Sequence, residues 1–218
     1  MSVDTTIDVW PEHQQIVAVS DPAIGLTQFT DTDSYHDTLR ETILRLERTS
    51  SHREKLPRGS CGIKVHHLET WSCPAAQMLT QRAMALFKRV LKTDNAHVDT
   101  SWANIYREND YCMPHSHIRA QASVVYLLDP GDEDPKDRLM GKFYFADPRI
   151  AYCCQHHPGH VTRLLIPEMK PGSMIIFPGQ VIHSVNPYFG ARPRITMSWN
   201  INTQAIPGDP RKTFEGKE

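Results

Sequence analysis

Two histidines one residue apart, His115 and His117, precede the apolar run "ASVVYLL". In an extended strand residues i and i+2 project from one face, so this spacing sets two imidazoles side by side, as two ligands of one metal require. The same pattern suits two polar residues at a strand edge, and with twelve histidines in 218 residues a pair arises readily by chance. The segment "KPGSMIIFPGQVIHSVNPYFGARPRITMSWN" changes that balance. Pro171-Gly172 and Pro178-Gly179 predict turns around a buried strand "SMIIF", and His183 falls in the short strand that follows. Arg194, Thr196 and Ser198 alternate with Ile195, Met197 and Trp199, so the polar three share one face of the last strand. A buried arginine cannot shed its charge and needs an anion. A ligand carboxylate held bidentately by Arg194, with Thr196 assisting, meets that need.

The elements that must position these residues differ between the two halves of the chain. Residues 1–97 read as a helical and irregular support region. In "DSYHDTLRETILRLERTS" Ser34 is the expected N-cap, with Asp37 three residues on, and Leu39, Ile43 and Leu46 recur at helical spacing. A second helix is expected from "SCPAAQ", with Pro74 in its first turn and Met78, Leu79, Ala83, Leu86, Phe87, Val90 and Leu91 as its apolar stripe. From about residue 98 to 203, short β-rich runs follow one another between Pro and Gly clusters: "TSWANIYR", "ASVVYLL", "GKFYFAD", "RLLIP", "SMIIFP", "QVIHSV" and "RITMSWNIN". None is followed by a helical crossover, which argues against a parallel sheet. The expected fold is an all-β core, a double-stranded β-helix of the jelly-roll or cupin type, buttressed by the N-terminal helices as one domain. Residues 204–218 form a polar tail.

Composition narrows the function. With 39% hydrophobic and 22% charged residues and a formal net charge of -1, nothing global favours a nucleic acid or an anionic membrane. No apolar run reaches the roughly 18 residues of a membrane span, and "MSVDTTIDVWPEHQQ" lacks the pattern of a secretory signal. Five unevenly placed cysteines do not form a disulfide framework, which predicts a reducing, cytoplasmic setting. The expected partner is a small molecule, and a homodimer is compatible.

The order N-x-Y, H-x-H, YL, PG, FP, H-x-V-x-P and R-I-T-x-S-x-N resembles the iron(II)- and 2-oxoglutarate-dependent oxygenases. It is most similar to a family of such oxygenases in which H-x-H is followed by an "S-G-V-Y-Y" strand and the core ends in "R-I-S-I-S-F-N", and more distantly to prolyl hydroxylases. The resemblance spans Trp102 to Ile201. It implies iron(II), 2-oxoglutarate and O₂ as cofactor and co-substrates, with His115 and His183 as metal ligands and Arg194 as partner of the distal carboxylate of 2-oxoglutarate. Arg192 is a rival for that role. Tyr106 and Tyr126 match tyrosines that line the co-substrate site of prolyl hydroxylases, and Asn104 and Asn200 match asparagines of the nearer family. Two departures stand out. The strand lacks the family's glycine near Ser123 and Val124, and His117 stands where most members have Asp or Glu. Either three histidines hold the metal or His117 does not ligate.

Three functions compete at this point. One is a 2-oxoglutarate-dependent dioxygenase that hydroxylates a small molecule and releases succinate. The second is a cupin-like three-histidine dioxygenase that does not use 2-oxoglutarate, and the third is an inactive jelly-roll binding protein. Other polar clusters have simpler readings. The cluster Cys153, Cys154, His156, His157 and His160 reads as a loop at the site's mouth rather than a zinc site. The acidic "DPGDEDPKDRLMG" reads as a solvated loop.

Overall fold

In the computed structural model, which describes residues 9–11, 13–20, 23–57, 59–147 and 165–208, the chain runs through eleven strands and two α-helices. In order these are β1 (Val17–Ser20), β2 (Ile24–Gln28), α1 (His36–Thr49), β3 (Arg53–Lys55), β4 (Ile63–His66), α2 (Pro74–Leu91), β5 (His97–Tyr106), β6 (Asp110–His115), β7 (Ala122–Asp129), β8 (Phe143–Phe145), β9 (Ser173–Pro178), β10 (His183–Tyr188) and β11 (Arg194–Asn202). The major sheet has eight antiparallel strands in the order β1-β2-β9-β7-β11-β5-β4-β3, and β6-β10-β8 form a minor sheet. The expected jelly-roll core with helical support is therefore borne out.

The period-2 alternation of β11 divides the molecule into its layers. Ile195, Met197, Trp199 and Ile201 face one way, into a core shared with Leu39 and Ile43 of α1 and Leu79, Leu86 and Phe87 of α2. Trp199 Nε1 there donates to Thr80 Oγ1 at 3.0 Å, which satisfies its one donor in the apolar layer. Arg194, Thr196, Ser198 and Asn200 face the other way, toward the minor sheet. A second apolar cluster, including Phe143, Phe145, Ile175, Phe177 and Val185, packs between the two sheets.

Several local expectations need correction. The N-terminal region is not only helical: it contributes β1 to β4, two strands at each edge of the major sheet. Ser34 does not cap α1. It ends a short 3₁₀ turn, Thr32–Ser34, where its hydroxyl donates to the Asp31 carbonyl at 2.8 Å, and the helix starts at His36 without a side-chain cap. Pro74 does open α2, but its stripe ends early, for Leu91 is 37% exposed. Cys61 and Cys112 are disulfide-bonded and tie the loop before β4 to β6, so the cysteines are not all free thiols. Among the described residues no helix is long and apolar enough to cross a membrane. The Cys153–His160 cluster lies outside the described residues.

The turn after β9 fixes the backbone of the H-x-H segment. Gly179 accepts from the His117 amide at 2.7 Å and donates to the Gln121 carbonyl at 3.1 Å. A Cβ on Gly179 would stand 2.1 Å from the Ala120 carbonyl oxygen and 2.7 Å from that of His117. Because backbone cannot yield as a side-chain tip can, Gly179→Ala is expected to destabilise the fold by about 1–3 kcal/mol. Thermal denaturation should show a lower midpoint, and a midpoint equal to that of the parent would contradict this packing.

Candidate metal centre

The minor sheet brings the first two histidines together. β10 pairs with β6 so that His183 lies directly opposite His115, and their rings are 4.3 Å apart. His117 is not the next same-face residue of a strand, since β6 ends at His115. It reaches the site from the following turn, held by Gly179, with its ring 5.1 Å from His115 and 5.0 Å from His183. One ligand nitrogen from each ring lies within 4.8 Å of the others. The three thus converge on one point, though by turn geometry rather than strand alternation.

Hydrogen bonds select which nitrogen each ring can offer. His115 Nδ1–H donates to the Met113 carbonyl at 2.8 Å, and His183 Nδ1–H donates to the Val181 carbonyl at 2.9 Å. Each therefore presents the bare Nε2 of a neutral imidazole. His117 Nδ1 faces the Asn200 amide at 3.0 Å, while its Nε2 is 3.2 Å from His183 Nε2. If Asn200 offers its oxygen, Nδ1 keeps the proton and Nε2 is free for a metal. If it offers its NH₂, Nε2 carries the proton and donates to His183. The other partners of Asn200 are the hydroxyls of Ser123 and Thr100, which can donate or accept, so turning the amide need break no bond.

Burial is the largest influence on all three rings, and each has its pKa lowered, His117 to about 3 and His183 well below the usual histidine range. Mutual repulsion adds to this for His117 and His183. Three neutral imidazoles with converging lone pairs fit a divalent metal. The nearby Cys61 and Cys112 offer no thiolate while they are bonded to one another.

Behind the histidines lies a cavity open to solvent. Its floor is the polar face of β11 with Trp102, Asn104 and Tyr106 of β5, and Val125, Phe143, Phe177 and Val185 supply apolar walls. Arg194 is 5% exposed, its guanidinium lies 5.1 Å from the Tyr106 ring centre, and its buried NH1 has no hydrogen-bond partner. Burial pushes Tyr106 up to about 12, so it is a neutral phenol. Asn104 spans Trp102 Nε1, which donates to it at 3.0 Å, and the hydroxyls of Thr196 and Ser198.

The expected residues thus divide. His115, His117, His183, Arg194, Thr196, Tyr106, Asn104 and Asn200 line this cavity. Tyr126 does not: it points to the helical side, where its hydroxyl bonds those of Tyr35 at 3.0 Å and His36 Nε2 at 2.6 Å. Arg192 is at the surface, bonded to Asp132 at 2.9 Å and to the Gly131 carbonyl at 2.6 Å. The reading from sequence missed Lys64, Trp102, Phe143 and Phe177 as cavity residues. Only the parity of β5, with Trp102 two and four residues before Asn104 and Tyr106, could have signalled one of them.

Residues 100–200 match the model of a family described as "Putative 2OG-Fe(II) oxygenase". Comparison with curated protein sequences gives no match. Among solved structures the chain is similar to AviO1 from Streptomyces viridochromogenes Tue57, with 12% identity, TM-score 0.59 and coverage of 85% of this chain and 92% of that one. It is also similar to EctD from S. alaskensis, solved with 2-oxoglutarate and 5-hydroxyectoine, at 15% identity, TM-score 0.60 and coverage of 87% and 72%. A third is a Pseudomonas putida prolyl-4-hydroxylase, at 14% identity, TM-score 0.60 and coverage of 82% and 92%. At these identities the neighbours show the fold. Together with the family match over the core and the three histidines, the resemblance holds: residues 100–200 carry the core of an iron(II)- and 2-oxoglutarate-dependent oxygenase. The family match and the fold support a dioxygenase of that class, and His115, His117 and His183 form its candidate iron site.

The lowered pKa values carry a pH dependence of stability. Unfolded, each histidine takes up a proton near pH 6.5; folded, it does so only at lower pH. Stability of the metal-free protein is therefore full above about pH 6.5 and falls below it, by at most about 1.4 kcal/mol per pH unit for each such histidine. Melting the metal-free protein at pH 7.5 and 5.5 should give the lower midpoint at 5.5, and the drop should shrink in His183→Leu. A separate titration tests ligation by His117. Asn200→Leu should weaken divalent-metal affinity by about 10–100-fold, as loss of an outer partner does, and His117→Ala by more. Unchanged affinity in His117→Ala would leave a two-histidine site.

Proposed function

We propose that the protein hydroxylates a small organic molecule, converting 2-oxoglutarate and O₂ to succinate and CO₂ as one oxygen atom enters a substrate C–H bond. The observation that carries this reading is Arg194, a buried guanidinium with an unpaired NH1 facing the cavity of the three histidines. A carboxylate at that end satisfies it by charge-assisted, bidentate hydrogen bonds, and Thr196 adds a hydroxyl donor beside it. The other end of a 2-oxo acid is then directed at the histidines.

Iron(II), when bound, supplies the chemistry that couples decarboxylation of the 2-oxo acid by O₂ to oxidation of the substrate. His115, His117 and His183 hold it, and the carbonyls of Met113 and Val181 keep two of the rings in the ligating tautomer. Phe143, Phe177, Val125 and Val185 exclude water from the reacting end. The net charge of -1 supports a metabolite over a polyanion as substrate. We place the reaction in the cytoplasm, where 2-oxoglutarate and reduced iron are available, and treat the active unit as a monomer or homodimer.

The absence of a carboxylate among the ligands favours one rival, a three-histidine dioxygenase that binds substrate directly to the metal. Anaerobic addition of iron(II) and 2-oxoglutarate separates the two. The proposed reading expects a weak visible charge-transfer band, with 2-oxoglutarate affinity reduced roughly 10–100-fold in Arg194→Ala. Tyr126→Phe should leave that affinity unchanged, because Tyr126 lies on the helical side. A band and an affinity indifferent to Arg194 would favour the rival.

A further inference from the structure

The cavity contains a second cation that neither the metal site nor the co-substrate clamp uses. Lys64 of β4 lines it, and in the strand register Lys64 stands beside Asn104 of β5, which stands beside Thr196 of β11. Its ammonium lies 4.9 Å from the Trp102 ring centre and makes no hydrogen bond or ion pair with an acceptor among the described residues. Glu54, its neighbour across β3 and β4, is turned to His66 at 3.0 Å. No aspartate or glutamate is among the residues that line the cavity. Burial lowers the pKa of Lys64, with Glu54 opposing this at a distance.

The two cations sit toward different ends of the floor. Arg194 pairs in register with Tyr106, and Lys64 with Asn104, two residues along and with β5 between their strands. Strand rise and spacing put their α-carbons about 12 Å apart. From there the Lys64 ammonium leans over Trp102, still farther from Tyr106 along β5, and Trp102 stacks on His117 with centroids 5.9 Å apart. A cation partly removed from water without an anion is unfavourable, and a cation–π contact compensates it only in part. The three histidines add no negative charge, so an iron(II) centre here leaves its full charge to be matched by what binds. Dianionic 2-oxoglutarate, with its distal carboxylate on Arg194, brings two negative charges against iron(II), Arg194 and Lys64, so positive charge is left over and Lys64 is the cation without an anion beside it.

We propose that Lys64 and Trp102 form a substrate subsite for an anionic group, a carboxylate or a group of like charge, so that the molecule oxidised is a small organic acid whose adjoining carbon skeleton lies on the Trp102 face. This rests on the co-substrate occupying the Arg194 end. The subsite separates two carboxylates by position: the one on 2-oxoglutarate goes to Arg194, and the one on the substrate goes to Lys64.

Calorimetric titration tests it with benzoate and with benzamide, its neutral counterpart. The protein is loaded with manganese(II) and saturated with N-oxalylglycine, an unreactive analogue of 2-oxoglutarate, so that the Arg194 end is filled. Benzoate should bind at least tenfold more tightly than benzamide. Lys64→Met should erase that preference and Lys64→Arg should keep it, with circular dichroism confirming that both variants fold. N-oxalylglycine affinity should be insensitive to Lys64→Met and weakened by Arg194→Ala. No preference for benzoate in the parent, including no binding of either probe, overturns the subsite, as does a preference that survives in Lys64→Met. Loss of N-oxalylglycine binding in Lys64→Met also overturns it, by making Lys64 the co-substrate clamp. If N-oxalylglycine fails to bind the parent protein, the co-substrate reading fails instead, and the two probes compared without it still decide the anion subsite.

Discussion

Four polar side chains of β11, Arg194, Thr196, Ser198 and Asn200, are buried between two sheets, and that burial is the constraint on which the site depends. Each needs a partner, because a polar group removed from water without one is costly. The three neutral ones find theirs inside the protein. Asn104 of β5 bonds Thr196 and Ser198, and Asn200 bonds Ser123, Thr100 and His117. The charged one does not, and its NH1 is left for a ligand. The opposite face of the same strand is wholly apolar and anchors the sheet on α1 and α2. A shift of register by one residue would exchange these faces, placing Arg194 against the helices and Trp199 in the cavity. Stability and function therefore select the same register.

The same parity explains what could be read in the sequence. The alternation of β11 was legible because polar and apolar residues strictly exchange, so Arg194 was placed on the right face. Tyr126 was not, because "ASVVYLL" is apolar on both faces and its parity is fixed only by pairing with β11, where Tyr126 meets Met197 on the helical side. Arg192 and Arg194 have the same residue type and parity, and what divides them is where β11 begins. Arg192 precedes the strand and is held at the surface by Asp132. The strands β1 to β4 are short and are stabilised by the sheet they extend rather than by local pattern. Ser34 had the residue types of a capping box, yet the 3₁₀ turn before the helix shifts its start past that position. The Cys61–Cys112 pairing joins residues 51 apart in sequence, and no local spacing announces such a contact.

His117 was legible as a ligand candidate for a reason that was only partly right. The i, i+2 spacing suggested a shared strand face, whereas the strand stops at His115 and a turn supplies the convergence. That turn is built by Gly179, whose missing side chain admits the carbonyls of His117 and Ala120. A glycine in a Pro-Gly pair reads from sequence simply as a turn. Its closeness to the H-x-H segment arises only when β7 and β9 pair and Ala122 comes opposite Pro178.

A histidine at position 117, where most members of the resembled family have a carboxylate, bears on more than the set of atoms offered to a metal. A carboxylate would carry its own charge and could accept from Asn200 directly. An imidazole must instead have its proton held on Nδ1 to ligate through Nε2, and Asn200 can do this while remaining neutral, because its amide can turn. Lys64 then has no anion in the cavity wall to answer it, and Trp102 offers it only the face of a ring while also stacking on His117. The histidine, the asparagine that orients it and the unanswered lysine thus describe one electrostatic arrangement. A bound metal cation and the anions that enter beside it should favour one another's binding through charge.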